Sequence, residues 1–448
     1  MTTTPDTSES TRPKYAPVFE FDKEALRCPF QHFDAAREEA PISWYADANF
    51  WVVTSYELAT QVLNNNTDFS AEQCIGEKAD AVWTRMIELA RENPETKHRI
   101  EGYGAGARRV LLFSDPPVHT RHRRIINRAL TPTAVRKNAD NMRRIARRLL
   151  DDVAAKAGEV EFVQTFAEPY PMAVISAVLG LPEEDRQKLR GWVTDLNSMI
   201  ATEDLSDDNI RELSKTRFDF DDYFNAAAED RMHNPTDDLT SMVVHENEKS
   251  PERMSRDDLM MVYQLLVVGG ADTSDAAMSR MLEDLATNPE TYQRLRREPE
   301  KIPNYIEGML RVAGPALGIF RRAKADVEVG GRQVNAGDFV WLSFAGANYD
   351  KSAYGLNADK VDLDEDQTTR HMTFGWGPHL CIGAPLARQE MKVALEEITD
   401  RFSAIELAPG KEYPPPYRPS FLFHGPASLW LRFTEDPDRG DRPVRSGP

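Results

Sequence analysis

Phe374-Gly375-Trp376-Gly377-Pro378-His379-Leu380-Cys381-Ile382-Gly383, running on into Ala384-Pro385-Leu386-Ala387-Arg388-Gln389-Glu390, is the stretch on which the reading of this chain turns. Its three glycines let backbone come close to a neighbouring group, and the residues after Gly383 have helical character. One cysteine therefore sits at a helix entrance, where amide hydrogens and the helix dipole favour a thiolate over a thiol. A lone free cysteine in a turn is more often a small buried hydrophobe, and at this level both readings stand.

The other two cysteines, Cys28 and Cys74, share no CxxC spacing with Cys381, which speaks against a disulfide framework or a zinc site and for a reducing compartment. The chain has 448 residues, 41% of them hydrophobic, enough for a sizeable core without staples. Its formal net charge of -18 argues against general nucleic-acid or anionic-membrane binding. No secretory leader or run of about 18 apolar residues is read, so a cytoplasmic protein without a membrane span is expected. Absence of repeats and long linkers favours one domain over residues 17–434, with polar tails at 1–16 and 435–448 expected to carry no packed structure.

Between the tails the pattern is mainly helical with small β-sheets, an α+β chain. Ile42-Ser43-Trp44-Tyr45 and Phe50-Trp51-Val52-Val53-Thr54 read as a hairpin. A second β patch is expected near Val327–Val329 and Phe339–Leu342, with glycine-rich turns between and beside them. The longest helix is predicted to start after Ser255, capped with Asp258 at its third position, and to stop at Asn288-Pro289. At about 1.5 Å per residue it approaches roughly 50 Å, long enough to cross a domain. In its middle, Gly269-Gly270-Ala271-Asp272-Thr273 places weak helix formers, an acid and an alcohol where a purely structural helix has no need of them, although a close helix crossing is an equal alternative.

The cysteine stretch resembles the F-G-x-G-x-H-x-C-x-G signature of cytochrome P-450 enzymes at every fixed position, and the likeness extends over almost the whole chain. The resemblance implies a single-domain P-450 fold with the long helix over haem b (iron protoporphyrin IX), and Cys381 as the metal ligand. It implies that Phe374, Gly375, Gly383, Gly269 and Ala271 approach the cofactor, that His119 and Arg123 take one propionate from one helix face, that Arg321 takes the other, and that His379 is the fourth propionate donor. Arg322 is expected to face solvent. Asp272 and Thr273 then become the catalytic pair, the carboxylate supplying protons that the hydroxyl passes to bound oxygen before O–O cleavage. Thiolate ligation favours that cleavage.

Two departures stand out. The family's Glu-x-x-Arg pair reads here Glu307-Gly308-Met309-Leu310-Arg311, with Gly308 where the glutamate belongs, and Glu365 stands where the cysteine-side loop normally has arginine. A direct Arg311–Glu365 ion pair is expected as compensation, or else a Glu307–Arg311 pair at i,i+4.

The function implied is a monooxygenase that inserts one atom of dioxygen into a hydrophobic organic substrate. No dinucleotide loop, flavin domain or iron–sulfur cluster is read, so a ferredoxin or flavodoxin with its reductase is expected to deliver electrons near Arg121, Arg124 and Arg388. A non-catalytic haem-binding scaffold, and a peroxide-driven or coupling haem-thiolate enzyme, are the alternatives. Arg85, Lys97, His98, Arg99 and Arg108 are candidates to meet a polar group of the substrate from a mobile lid.

Overall fold

The computed structural model describes residues 12–100, 110–128, 130–156, 158–201, 206–365 and 371–438. Its organising element is the helix Arg256–Thr287, which begins with the expected capping box: the Ser255 hydroxyl accepts from the Asp258 amide, and the Asp258 carboxylate accepts from the Ser255 amide. Met260, Met261, Val262, Tyr263, Leu266 and Val267 are buried, because the helix runs between other helices rather than over a surface. Pro169–Val178, Asp207–His233, Ile302–Ala313 and Ala384–Arg401 all pack on it.

To one side lies a five-stranded sheet in the order β1-β2-β8-β5-β3, made of β1 (Ile42–Tyr45), β2 (Phe50–Val53), β3 (Phe69–Ser70), β5 (Gly318–Ala323) and β8 (Phe339–Ser343). The β1–β2 hairpin is the one the sequence indicates, and β8 joins it in parallel. The second β patch divides differently from expectation. β6 (Val327–Val329) pairs with β7 (Arg332–Val334) across Gly330-Gly331, while β8 leaves to pair with β2 and β5. Short strands are assigned to sheets by long-range partners that local pattern does not encode. A third sheet joins β4 (Glu159–Glu161), β9 (Phe402–Leu407) and β10 (Trp430–Glu435).

Packing begins before the boundary expected at residue 17. Tyr15 and Ala16 are fully buried, and the Tyr15 ring stacks on Phe33 and meets Tyr45 edge-on. At the other end β10 extends to Glu435, and the Asp436 amide donates to the Arg401 carbonyl at 2.9 Å. Both boundaries were set by polar composition, which overlooks one aromatic ring or one ladder bond. The remaining tail residues, 1–11 and 439–448, lie outside the described residues.

His424 joins the ends of the chain. Its Nε2 donates to the Leu26 carbonyl at 2.6 Å, and its amide to the Pro315 carbonyl at 2.7 Å. Burial, reinforced by the charge of Arg280, lowers its pKa from 6.5 to about 3. The unfolded chain therefore binds a proton at this position below pH 6.5 that the folded chain refuses down to about 3, so stability falls as pH drops through that window. In His424→Gln, whose amide preserves the bond to Leu26, the pH dependence of the denaturant midpoint between those limits should be shallower.

Candidate functional site

The cysteine loop is built around two glycines in left-handed conformation, Gly375 and Gly377, with φ of 74° and 66°. A Cβ on Gly377 would stand 2.6 Å from Asn64 Oδ1, so this turn admits no side chain. The Cys381 amide donates to the Phe374 carbonyl at 2.7 Å, closing the loop on itself. The helix Ala384–Arg401 starts three residues later. Cys381 lies deep among protein atoms yet keeps accessible surface, so it lines an interior space rather than the outside of the molecule. Burial raises the pKa of its thiol, while the Gly383 and Ala384 amides and the charges of Arg123 and Arg388 act in the opposite direction.

Four basic side chains converge beside this loop. His119 and Arg123 come from one face of the helix Val118–Asn127, Arg321 from β5 and His379 from the loop itself. The rings of His119 and His379 lie 4.1 Å apart, and both histidines feel the charges of Arg321 and Arg123. Burial first, then those cations, lowers His119 to about 4 and His379 to about 2. Strand alternation sends Arg321 inward, 2% exposed, and Arg322 outward, as the sequence count indicates. Arg321 Nε, His119 Nδ1 and His379 Nε2 are buried without a hydrogen-bond partner among the described residues. A cleft of about 880 Å³ is lined by Trp83, Phe113, Asp115 and Arg322 among others, and by none of the four basic side chains.

On the long helix, Gly269 and Thr273 share a face. A Cβ on Gly269 would meet nothing within 4 Å, and the Thr273 hydroxyl donates to the Gly269 carbonyl at 2.6 Å. Asp272 accepts from Arg190 Nη1 at 2.6 Å and from Asn197 Nδ2, both on the helix Arg186–Ala201, and Arg190 also pairs with Glu168. Ala271 does not join them. It lies about 200° around the helix from Gly269 and packs in the core, 1% exposed. Arg190 and Asn197 escaped the sequence reading because nothing local ties them to a helix more than 70 residues away.

The chain matches the cytochrome P450 family model over residues 89–430. It belongs to the cytochrome P450 family. It is 29% identical over 404 residues to the steroid C26-monooxygenase of Mycobacterium tuberculosis, covering 90% of this chain and 100% of that one. It is 32% identical to the nocardicin C N-oxygenase of Nocardia uniformis, covering 85% and 88% of the two chains. Among solved structures, CYP109E1 from Bacillus megaterium in complex with corticosterone superposes with a TM-score of 0.76 at 26% identity, covering 92% of this chain and 99% of that one. The protein is thus a haem-thiolate monooxygenase with haem b as cofactor. No helix among the described residues is long and apolar enough to cross a membrane.

The residues of this cytochrome P450 fit such a group. Haem b carries two carboxylates, and the basic quartet offers orphaned buried donors, with no hydrogen-bonded carboxylate partner for Arg123, Arg321, His119 or His379 among the described residues. The loop beside them supplies one thiol.

Neither expected substitute for the Glu-x-x-Arg network forms. Arg311 donates to the carbonyls of Ala358 and of Lys360, the latter at 2.6 Å, with its guanidinium 5.0 Å above the Tyr354 ring; Glu365 is exposed and reaches it as a charge. Glu307 accepts instead from Arg388, at 2.6 and 2.8 Å, and from His371 at 3.0 Å. The helix periodicity explains the miss: i,i+4 spacing makes Glu307 and Arg311 neighbours only if neither has a better partner elsewhere. Arg85 and Arg99 also act structurally, pairing with Asp207 at 2.7 Å and Asp222 at 3.0 Å on the helix Asp207–His233. Arg108 lies outside the described residues.

Gly308 faces Val361, whose Cγ1 would stand 2.6 Å from a Cβ there. Overpacking of about 1–3 kcal/mol should outweigh the helix propensity gained, about 1 kcal/mol. Gly308→Ala is therefore expected to lower the denaturant midpoint, and Val361→Ala in the same chain to restore it.

Proposed function

We propose that Cys381 is the iron ligand of this P450, that His119 and Arg123 with Arg321 and His379 would receive the two propionates, and that Thr273, resupplied by Asp272, is the proton donor of the site. The observation that carries the assignment is the convergence of four basic side chains, with orphaned donors, on the one loop that presents a cysteine to an interior space. Haem b, when bound, supplies a redox-active iron that activates dioxygen.

The protein's own groups then divide the work. The Gly383 and Ala384 amides, with Arg123 and Arg388, stabilise the thiolate against the cost of burial. The quartet would orient the cofactor through its carboxylates, with Arg123 and Arg321 supplying the countercharge and the two histidines hydrogen bonds. Thr273 rests with its hydroxyl donating to the Gly269 carbonyl, and would release that proton into the site from there. Both Asp272 oxygens are engaged by Arg190 and Asn197, so Asp272 would take up a proton from solvent, and pass it to Thr273, only as the helix Arg186–Ala201 yields. Phe374, Gly375 and Gly269 keep the walls of the site close.

The substrate is an apolar organic molecule. The half-buried Leu265, Val268 and Ile319 flank the Gly269 face or β5, and an acidic partner would meet no free lid cation at Arg85 or Arg99. Steroids are the first class to screen, since one relative is named a steroid monooxygenase and a structural neighbour holds corticosterone. Electrons come from a ferredoxin or flavodoxin with its reductase, docking on the cysteine side near Arg121 and Arg124, in a reducing cytoplasm.

Reduced protein under carbon monoxide should give the Soret band of a thiolate complex, and Cys381→Ser should lose it; a band unaffected by that change would refute the ligand. Titration with steroids should shift the ferric Soret band, and reduction by a ferredoxin should slow as salt rises.

A further inference from the structure

We infer that Glu307 is the positioning residue of the cysteine loop: one buried carboxylate that clamps the chain entering the loop to the helix leaving it. The inference rests on Cys381 being the iron ligand.

A loop with glycines at 375 and 377 in left-handed conformation has a soft backbone, and presenting a sulfur at fixed height and angle requires that its two ends be held from outside. On the entering side, His371 Nε2 donates to Glu307 Oε2 at 3.0 Å. The next two residues are fixed to the same region: the Met372 amide donates to Asn348 Oδ1 at 2.7 Å, and the Thr373 hydroxyl to the Leu310 carbonyl at 2.5 Å. Phe374 follows, and its carbonyl receives the Cys381 amide. On the leaving side, Arg388 sits just over a turn into the helix Ala384–Arg401 and forks onto Glu307, Nε to Oε1 at 2.6 Å and Nη2 to Oε2 at 2.8 Å. The same guanidinium lies 4.5 Å over the Phe374 ring, so the two sides touch each other as well as the carboxylate.

Glu307 is 3% exposed. Burial raises its pKa, but Arg388 and then His371 outweigh that and hold it below the usual carboxylate value, so the clamp is ionised. A fork onto a fixed carboxylate sets distance and plane together, which a single contact does not. The positions that fill this role in the family are occupied otherwise here: Gly308 has Val361 against it, and Arg311 fastens the 358–360 carbonyls of a neighbouring loop. Arg388 is consequently a poor candidate for a docking cation, being already paired.

The test uses full-length haem-loaded protein carrying Glu307→Gln, Arg388→Met, both together, or Arg388→Lys, with Glu365→Ala as control. Three readouts are taken: the ratio of thiolate to thiol Soret bands under carbon monoxide, the rate of haem transfer to an excess of haem-scavenging apoprotein, and the reduction potential. Expected are haem transfer faster by about 10- to 100-fold in Glu307→Gln, a larger thiol fraction, and a shifted potential. Arg388→Met should match it, the double variant should be no worse than either single, and Arg388→Lys should recover part of the thiolate band. Glu365→Ala should behave as wild type.

If Glu307→Gln does not accumulate, Arg388→Met at its half-exposed position decides alone. Wild-type bands and haem transfer in the variants, or effects that add in the double, would overturn the clamp. A wild-type protein without a thiolate band would instead defeat the assignment of Cys381, leaving the two failures distinct.

Discussion

Buried like charges repel, and this protein gathers two arginines and two histidines around one interior space. Arg123, Arg321, His119 and His379 arrive from a helix, a strand and a loop, and their mutual field, together with burial, holds both histidines neutral. Such a cluster persists only if rigid elements oppose its dispersal. The antiparallel pairing of β5 with β8, which places Arg321 opposite Val340, and the helix Val118–Asn127 provide that rigidity. Cys381 belongs to the same electrostatic unit, since Arg123 feels its charge.

The rest of the architecture supports that unit from two directions. Below it, the helix Ile302–Ala313 faces the cysteine loop with Glu307 and the loop's neighbour with Arg311, so one short helix registers two irregular segments. Irregular segments need this more than helices do, because their backbones have no ladder of their own. Elsewhere in the fold, the long helix carries Gly269 and Thr273 on one face and binds the helix Arg186–Ala201 through Asp272.

Several of these features are legible in the sequence. Ser255 and Asp258 spell out a helix start, and the Asn288-Pro289 stop is local chemistry, so the longest helix was placed to the residue. The family resemblance, counted back from Asp326-Val327, picked Arg321 as the inward arginine and left Arg322 to solvent, and the burial of the two agrees. The fixed spacing of glycines, histidine and cysteine around Cys381 marked the family, because a loop closed by its own hydrogen bonds is encoded in consecutive residues. By contrast, the resemblance placed Ala271 with Gly269 at the cofactor, although two residues of helix turn its side chain away from Gly269.

By itself, then, the sequence determined the helix limits, the inward arginine of β5, the cysteine turn and membership of the P450 family, all of which depend on interactions within a few residues or on a periodicity. Only the tertiary structure decided that Glu307 pairs with Arg388 and His371 rather than with Arg311, and that Arg190 and Asn197 hold Asp272. It also decided that β8 leaves its sequence neighbours for β2 and β5. The physical reason is the same in each case. An acid or a strand edge offers the same bonding groups to several partners, and the choice among them is made by which one packing brings within 3 Å and dries.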